Sequence, residues 1–209
     1  VAAGRPGRRR QGALSETSLP GRTRLFEVGA VVCALALLVG FAPLGTAEFL
    51  VALPWIIVVS VLYAVWRLCR ESGAAERLGF VAPYHIDQDD TYGCLFVGGL
   101  FFLSLVPIII LRLTVTMPRV YAPWHYLLWC GVQDFLFFSL VQRNLEAHVH
   151  PAFAIAATAL LFGLSHYPLT PFMLTTVVVG AIWGYLYHRT RYLLYVVVSH
   201  WMLGIIALG

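Results

Sequence analysis

The chain has 209 residues, 60% of them hydrophobic and 11% charged, and a formal net charge of +4. A soluble globular protein carries about 25% charged residues, so this composition excludes an ordinary soluble domain and puts the chain in the membrane class. All 14 basic residues are arginine and mark loops rather than one patch, which argues against nucleic acid as a partner and for membrane lipid.

Residues 1–24 are rich in Gly, Pro, Ser and Arg, with Arg8, Arg9 and Arg10 in a row, and read as a disordered basic arm. No signal peptide is expected, because the first apolar run is long and lacks a small-residue cleavage site. A membrane-crossing helix needs about 20 apolar residues. The first such run extends from Phe26 to Leu44 and ends in FAPLG. The second extends from Ala47 to Leu68 and contains Pro54, which a lipid-embedded helix tolerates. Arg70 to Tyr92 is the one sizeable hydrophilic loop. Residues 71–80 within it suit a short interfacial helix, with Leu78 and Phe80 touching lipid. Residues 25–92 thus form a unit of two helices and a polar cytoplasmic loop.

Residues 93–209 form the remaining unit. A third span runs from Gly93 to Val115, with Pro107 inside it, and a fourth from Trp124 to Leu145. EAHVH is then a polar turn, and Pro151 suits the first turn of a fifth helix that ends at His166. The sixth runs from Pro171 to Tyr187, with Gly180 and Gly184 at the spacing that lets helix backbones approach closely. The seventh runs from Tyr192 to Leu208. The predicted fold is all-α, a polytopic bundle of about seven transmembrane spans, with six or eight as alternatives. Twelve arginines fall on the side of the N-terminal arm, and only Arg112 and Arg119 fall on the other. That bias predicts a cytoplasmic N-terminus in a multi-pass protein of a bacterial cytoplasmic membrane. Cys33, Cys69, Cys94 and Cys130 form no C-x-x-C pair and lie in or beside apolar runs, so they imply neither a disulfide framework nor a zinc knuckle.

The fourth span carries Gln133 and Asp134 far from either polar flank. A carboxylate inside a bilayer costs several kcal/mol without a partner or a water-filled cavity, which makes Asp134 a candidate functional group. Adjacent helical residues point about 100° apart, so Gln133 and Asp134 can border one cavity without sharing a direction. Phe138 stands at i+4 from Asp134, and Arg143 lies about 13 Å along the axis on the opposite face. The partner of Asp134 must therefore come from another helix, and histidine is the type available. His166 ends the fifth span, with Phe162 one turn earlier on the same face. His200 lies inside the seventh span, with Gly204 leaving a gap one turn later. His148 and His150 read as headgroup-region residues, and His125 and His188 as interfacial. His85, Asp87, Asp89 and Asp90 read as a polar loop without the glycine and distal glutamate of a calcium loop.

The order of these motifs resembles the CAAX protease and bacteriocin-processing (CPBP, or abortive-infection) family of intramembrane endopeptidases, which includes type II CAAX prenyl proteases. The family pattern is E-E-x-x-x-R on one helix, F-x-x-x-H on the next and H-x-x-x-N or H-x-x-x-D on the last. The corresponding stretches are Gln133 to Phe138, Phe162 to His166 and His200 to Gly204, and GYLYHRTRYLL resembles the usual approach to the last histidine. The resemblance covers residues 93 to 208. It implies an endopeptidase acting on a membrane-anchored protein or peptide, with Gln133, Asp134, His166 and His200 as the catalytic set and Phe162, Phe138 and Gly204 in support. Gln133 stands in place of the first glutamate, Phe138 in place of the arginine and Gly204 in place of the asparagine. A primary amide is not a general base at neutral pH, so water activation falls to Asp134, alone or paired with His166, with His200 holding the oxyanion. A non-catalytic relative that binds a membrane peptide is the second reading. A zinc site or proton path built from Asp134, His166 and His200 is the third; the first two readings need no cofactor.

Overall fold

The computed structural model describes residues 21–41, 46–71, 73–80, 90–114, 123–167 and 169–208, and every regular element among them is helical. The helices are α1 (Gly21–Phe41), α2 (Thr46–Arg70), α3 (Ala74–Arg77), α4 (Asp90–Thr114), α5, α6 (Pro151–Leu164), α7 (Thr170–Thr190) and α8 (Leu193–Leu208). Helix α5 is continuous through three segments: α-helical Pro123–Asp134, π-helical Phe135–Gln142 and α-helical Arg143–Glu146. Each long helix coincides with one of the seven apolar runs, because Arg, Pro and Gly clusters bound those runs at both ends. Gly21 to Arg24, expected in the basic arm, are instead the first turn of α1. The rest of the arm, the polar residues 81–89 with His85, Asp87 and Asp89, and Arg119 lie outside the described residues.

Among the described residues one helix, α7, is long and apolar enough to cross a membrane by length and composition. Val97–Leu111, Pro151–Leu164 and Leu193–Ala207 are shorter apolar helices. Pro107 lies inside α4 without ending it. Pro151 opens α6, where its missing N–H costs no hydrogen bond, and the His150 ring Nδ1 accepts the Ala152 N–H at 3.3 Å. Helix α7 stops at Arg191, which takes φ 54° and returns its N–H to the Tyr187 carbonyl at 2.8 Å.

Helix α5 is the centre of the bundle, touching α1, α2, α6, α7 and α8. Its π-helical segment is buried on nearly every side: Phe135, Phe137, Phe138, Ser139, Leu140, Val141 and Gln142 are all inaccessible. A helix apolar all round belongs in a core, which is where FLFFSLV is found. Helix α6 packs along α7 at the small-residue face. A Cβ on Gly180 would stand 3.4 Å from the Ala159 Cα, and one on Gly184 would stand 2.9 Å from Gln142 Oε1. Helix α4 lies against α7 and α8.

Polar contacts gather the arginine-bearing ends of the helices. Glu27 at the start of α1 is held by Tyr63 and Arg67 near the end of α2 and by Asn144 at the end of α5. Arg67 also meets Glu71, and Glu71 meets Arg77. Glu146 pairs with His188 at 3.1 Å and with Arg191. Arg143 donates to the carbonyls of Glu76 and Arg77 at the end of α3. The expected lipid contact of Leu78 does not form: Leu78 is buried, because Ser139 Oγ donates to its carbonyl at 2.7 Å and draws this turn onto α5. Phe80 is partly exposed and stacks on Phe135.

Candidate functional site

Asp134 is the last residue of the α-helical part of α5 and is fully buried. Its Oδ1 lies 3.0 Å from Nδ1 of His200, which α8 brings across from the middle of its length. His200 is buried as well. A carboxylate accepts only, so Nδ1 of His200 carries a proton toward Asp134. Asp134 Oδ2 is buried with no hydrogen-bond partner. An ionised carboxylate oxygen without a partner costs more than the ordinary penalty of about 1–3 kcal/mol for a buried unsatisfied group, and such a group in a native site asks for a functional reason.

The pair that forms is therefore Asp134–His200, not Asp134–His166. The cause is helical phase, since Gln133 and Asp134 look at different neighbours. Gln133 faces the end of α6, where its Nε2 lies 3.5 Å from Ser165 Oγ. His166 sits in the turn after α6, half-buried, with Nδ1 2.9 Å from the Phe162 carbonyl and 3.2 Å from Ser165 Oγ. A carbonyl also only accepts, so Nδ1 of His166 carries a proton as well. The Phe162 ring lies against both imidazoles, with its centroid 5.1 Å from that of His166 and 5.4 Å from that of His200. Phe138, fully buried, packs against Phe162 at 5.9 Å and Tyr187 at 6.3 Å, so it acts as an apolar backstop. The structure thus gathers Gln133, Asp134, Phe138, Phe162, His166 and His200 around one aromatic centre.

Several residues that the sequence reading did not single out belong here. Trp183 of α7 covers the His200 ring at 4.8 Å, and its buried indole N–H has no partner. The Tyr126 ring meets the edge of His200 at 6.0 Å. Cys130, fully buried, interacts with both the Tyr126 hydroxyl and the His200 ring. Tyr126, Cys130 and Asp134 recur every four residues, so they form a file on one face of α5, a spacing readable in the sequence. The gap expected at Gly204 is filled by the Tyr126 phenol, since a Cβ built on Gly204 would overlap its hydroxyl. Ser165 was hidden beside the more conspicuous His166, and nothing in its own spacing signals Trp183.

An apolar cavity of about 540 Å³ lies on another face of α5, lined by Ser60, Ala64, Phe80, Trp124, Val132 and Val197 among others. None of Gln133, Asp134, His166 and His200 lines it. Among the described residues no group of three or more His, Cys, Asp or Glu side chains is arranged to hold a metal ion. His125, expected at the interface, has its side chain outside the described residues; His188 is drawn instead into the Glu146 pair.

Comparison with protein families matches residues 104–206 to the type II CAAX prenyl endopeptidase Rce1-like family. Over this segment the chain is similar to the CAAX-protease-like family. The matched segment includes all of α5 to α7 and almost all of α8, and with them Gln133, Asp134, Phe162, His166, His200 and Gly204. The family is one of integral membrane endopeptidases. Comparison with curated proteins and with solved structures gave no match.

Proposed function

We propose that the chain is an intramembrane endopeptidase that hydrolyses a peptide bond in a membrane-anchored protein or peptide, with water activated by the Asp134–His200 pair. The observation that carries this reading is the buried carboxylate at 3.0 Å from a buried imidazole, with its second oxygen unpartnered. Asp134 holds the His200 tautomer, and Nε2 takes a proton as water adds to the scissile carbonyl carbon. The resulting tetrahedral oxyanion collapses, the C–N bond breaks and the amine leaves with the proton from the imidazolium. His166, with Nδ1 held by the Phe162 carbonyl, offers a second Nε2 to the same water or to the substrate.

The protein crosses the membrane about seven times, with its arginine-rich end and N-terminal arm in the cytoplasm, as in a bacterial cytoplasmic membrane. Convergence of Glu27, Arg67, Asn144, Glu146 and Arg191 at one end of the bundle supports this alternating path. The family's name points to a prenylated C-terminal segment as the substrate class.

A second reading has one observation in its favour. Gln133 carries an amide where a second acid would stand, and Phe138 carries no charge, which suits a relative that binds a membrane peptide without cutting it. The deciding experiment reconstitutes the protein in liposomes with a prenylated reporter peptide and follows cleavage by mass spectrometry. Wild type is expected to cleave at one bond, and the His166→Ala, His200→Ala double variant is expected not to cleave. A folded wild type that binds the peptide and leaves it whole refutes the endopeptidase reading and leaves the binding one.

A further inference from the structure

We infer that the Tyr126 hydroxyl is a hydrogen-bond donor to the developing oxyanion, an inference that rests on the endopeptidase reading. Three observations place it there. The Tyr126 ring meets His200 edge-on at 6.0 Å, beside the imidazole that Asp134 holds. Its hydroxyl occupies the volume that any side chain at position 204 would take, one helical turn beyond His200 on the same face of α8. Cys130, one turn on along the same face of α5, sets a thiol beside this phenol, a weak hydrogen-bond partner.

A tyrosine hydroxyl packed inside a protein usually finds a strong hydrogen-bond partner. Here the partner at hand is a thiol, and the nearby carboxylate oxygen Asp134 Oδ2 has none. A phenol held only by a weak partner and a carboxylate oxygen without one, both beside the His200 imidazole, describe a place for a third molecule with both a donor and an acceptor. A peptide carbonyl with an attacking water has both. The phenol O–H then donates to the carbonyl oxygen as negative charge grows on it and keeps its proton throughout, so the atoms of the hydrolysis stay balanced. Glycine at 204 is what admits the ring: a Cβ there would drive the phenol out.

The test compares wild type, Tyr126→Phe, Tyr126→Ala and Tyr126→Ala with Gly204→Asn, in liposomes with the reporter peptide. Removing one oxyanion donor lowers kcat by about 10² to 10³. Tyr126→Phe is expected to lose that much in kcat while KM and melting temperature stay as in wild type. The asparagine amide placed in the vacated volume is expected to raise kcat at least tenfold over Tyr126→Ala. Tyr126→Phe within threefold of an active wild type overturns the inference and leaves the endopeptidase reading standing. A loss of rate matched by a loss of melting temperature also overturns it, because the ring would then be only a plug. A wild type that cleaves nothing overturns the parent reading, and this one with it.

Discussion

Replacing Asp134 by Asn changes one atom of a buried site and should separate activity from stability. When His200 takes up the water's proton, an imidazolium stands 3.0 Å from a carboxylate. Coulomb's law at an effective dielectric of 20 makes that attraction ~5.5 kcal/mol. Each 1.36 kcal/mol is a factor of ten in rate, so the neutral amide should cost ~10⁴-fold in kcat. The amide can also donate to Nδ1 and force the wrong tautomer of His200, which acts in the same direction. Stability should move the other way or not at all, because a neutral amide is cheaper to bury than a carboxylate with an unpartnered oxygen. The assay is the initial rate of reporter cleavage in liposomes beside a thermal melt in detergent. Asp134→Asn cleaving within tenfold of wild type would refute the pair as the water-activating group.

Other substitutions probe the site and its supports. His200→Ala leaves Asp134 buried without its partner and should destabilise by ~3–5 kcal/mol, seen as a lowered melting temperature that Asp134→Asn in the same chain largely restores. Gln133→Glu adds a carboxylate beside Ser165, 3.5 Å from the present amide, and should raise cleavage by up to ~10²-fold; an unchanged rate would mean that position 133 does not border the reacting centre. Gly79→Ala should lower the melting temperature. Its φ of 78° alone costs a side chain about 1–2 kcal/mol, and the added Cβ would sit 3.1 Å from the Leu193 backbone nitrogen. Arg67→Met should destabilise by ~3 kcal/mol through the charge left on buried Glu27, and Glu27→Gln should recover part of the loss.

The helices were legible because their signals are local. Apolar runs bounded by FAPLG, EAHVH and HRTR become α1, α5 to α6 and α7 to α8 with ends displaced by only a few residues. The need of Asp134 for a histidine on another helix was legible too, from the cost of burying its charge. Which histidine it finds was not. That choice depends on how α5 is rotated against α6 and α8, and a one-residue difference sends Gln133 to Ser165 and Asp134 to His200. Leu78 was misplaced for a related reason. Its own apolar character fits lipid and core equally, and the deciding contact is a carbonyl bond to Ser139, 61 positions away. The gap at Gly204 was visible, but its occupant comes from α5, and no spacing along α8 announces Tyr126.

The π-helical stretch Phe135–Gln142 has a consequence for how this protein can change length. A π turn closes N–H to carbonyl bonds five residues apart, so it holds about one residue more than an α turn. Deleting a single residue there would let the stretch tighten to α-helix while both flanks keep their rotational phase. Asp134 would still face His200, and Asn144 would still face Glu27. The same deletion upstream, between Tyr126 and Asp134, would turn the file of site residues by about 100° and scatter it. The site and the polar anchor at the two ends of α5 are thus joined by a segment that absorbs an insertion or deletion, so either end can be remodelled without dragging the other out of register.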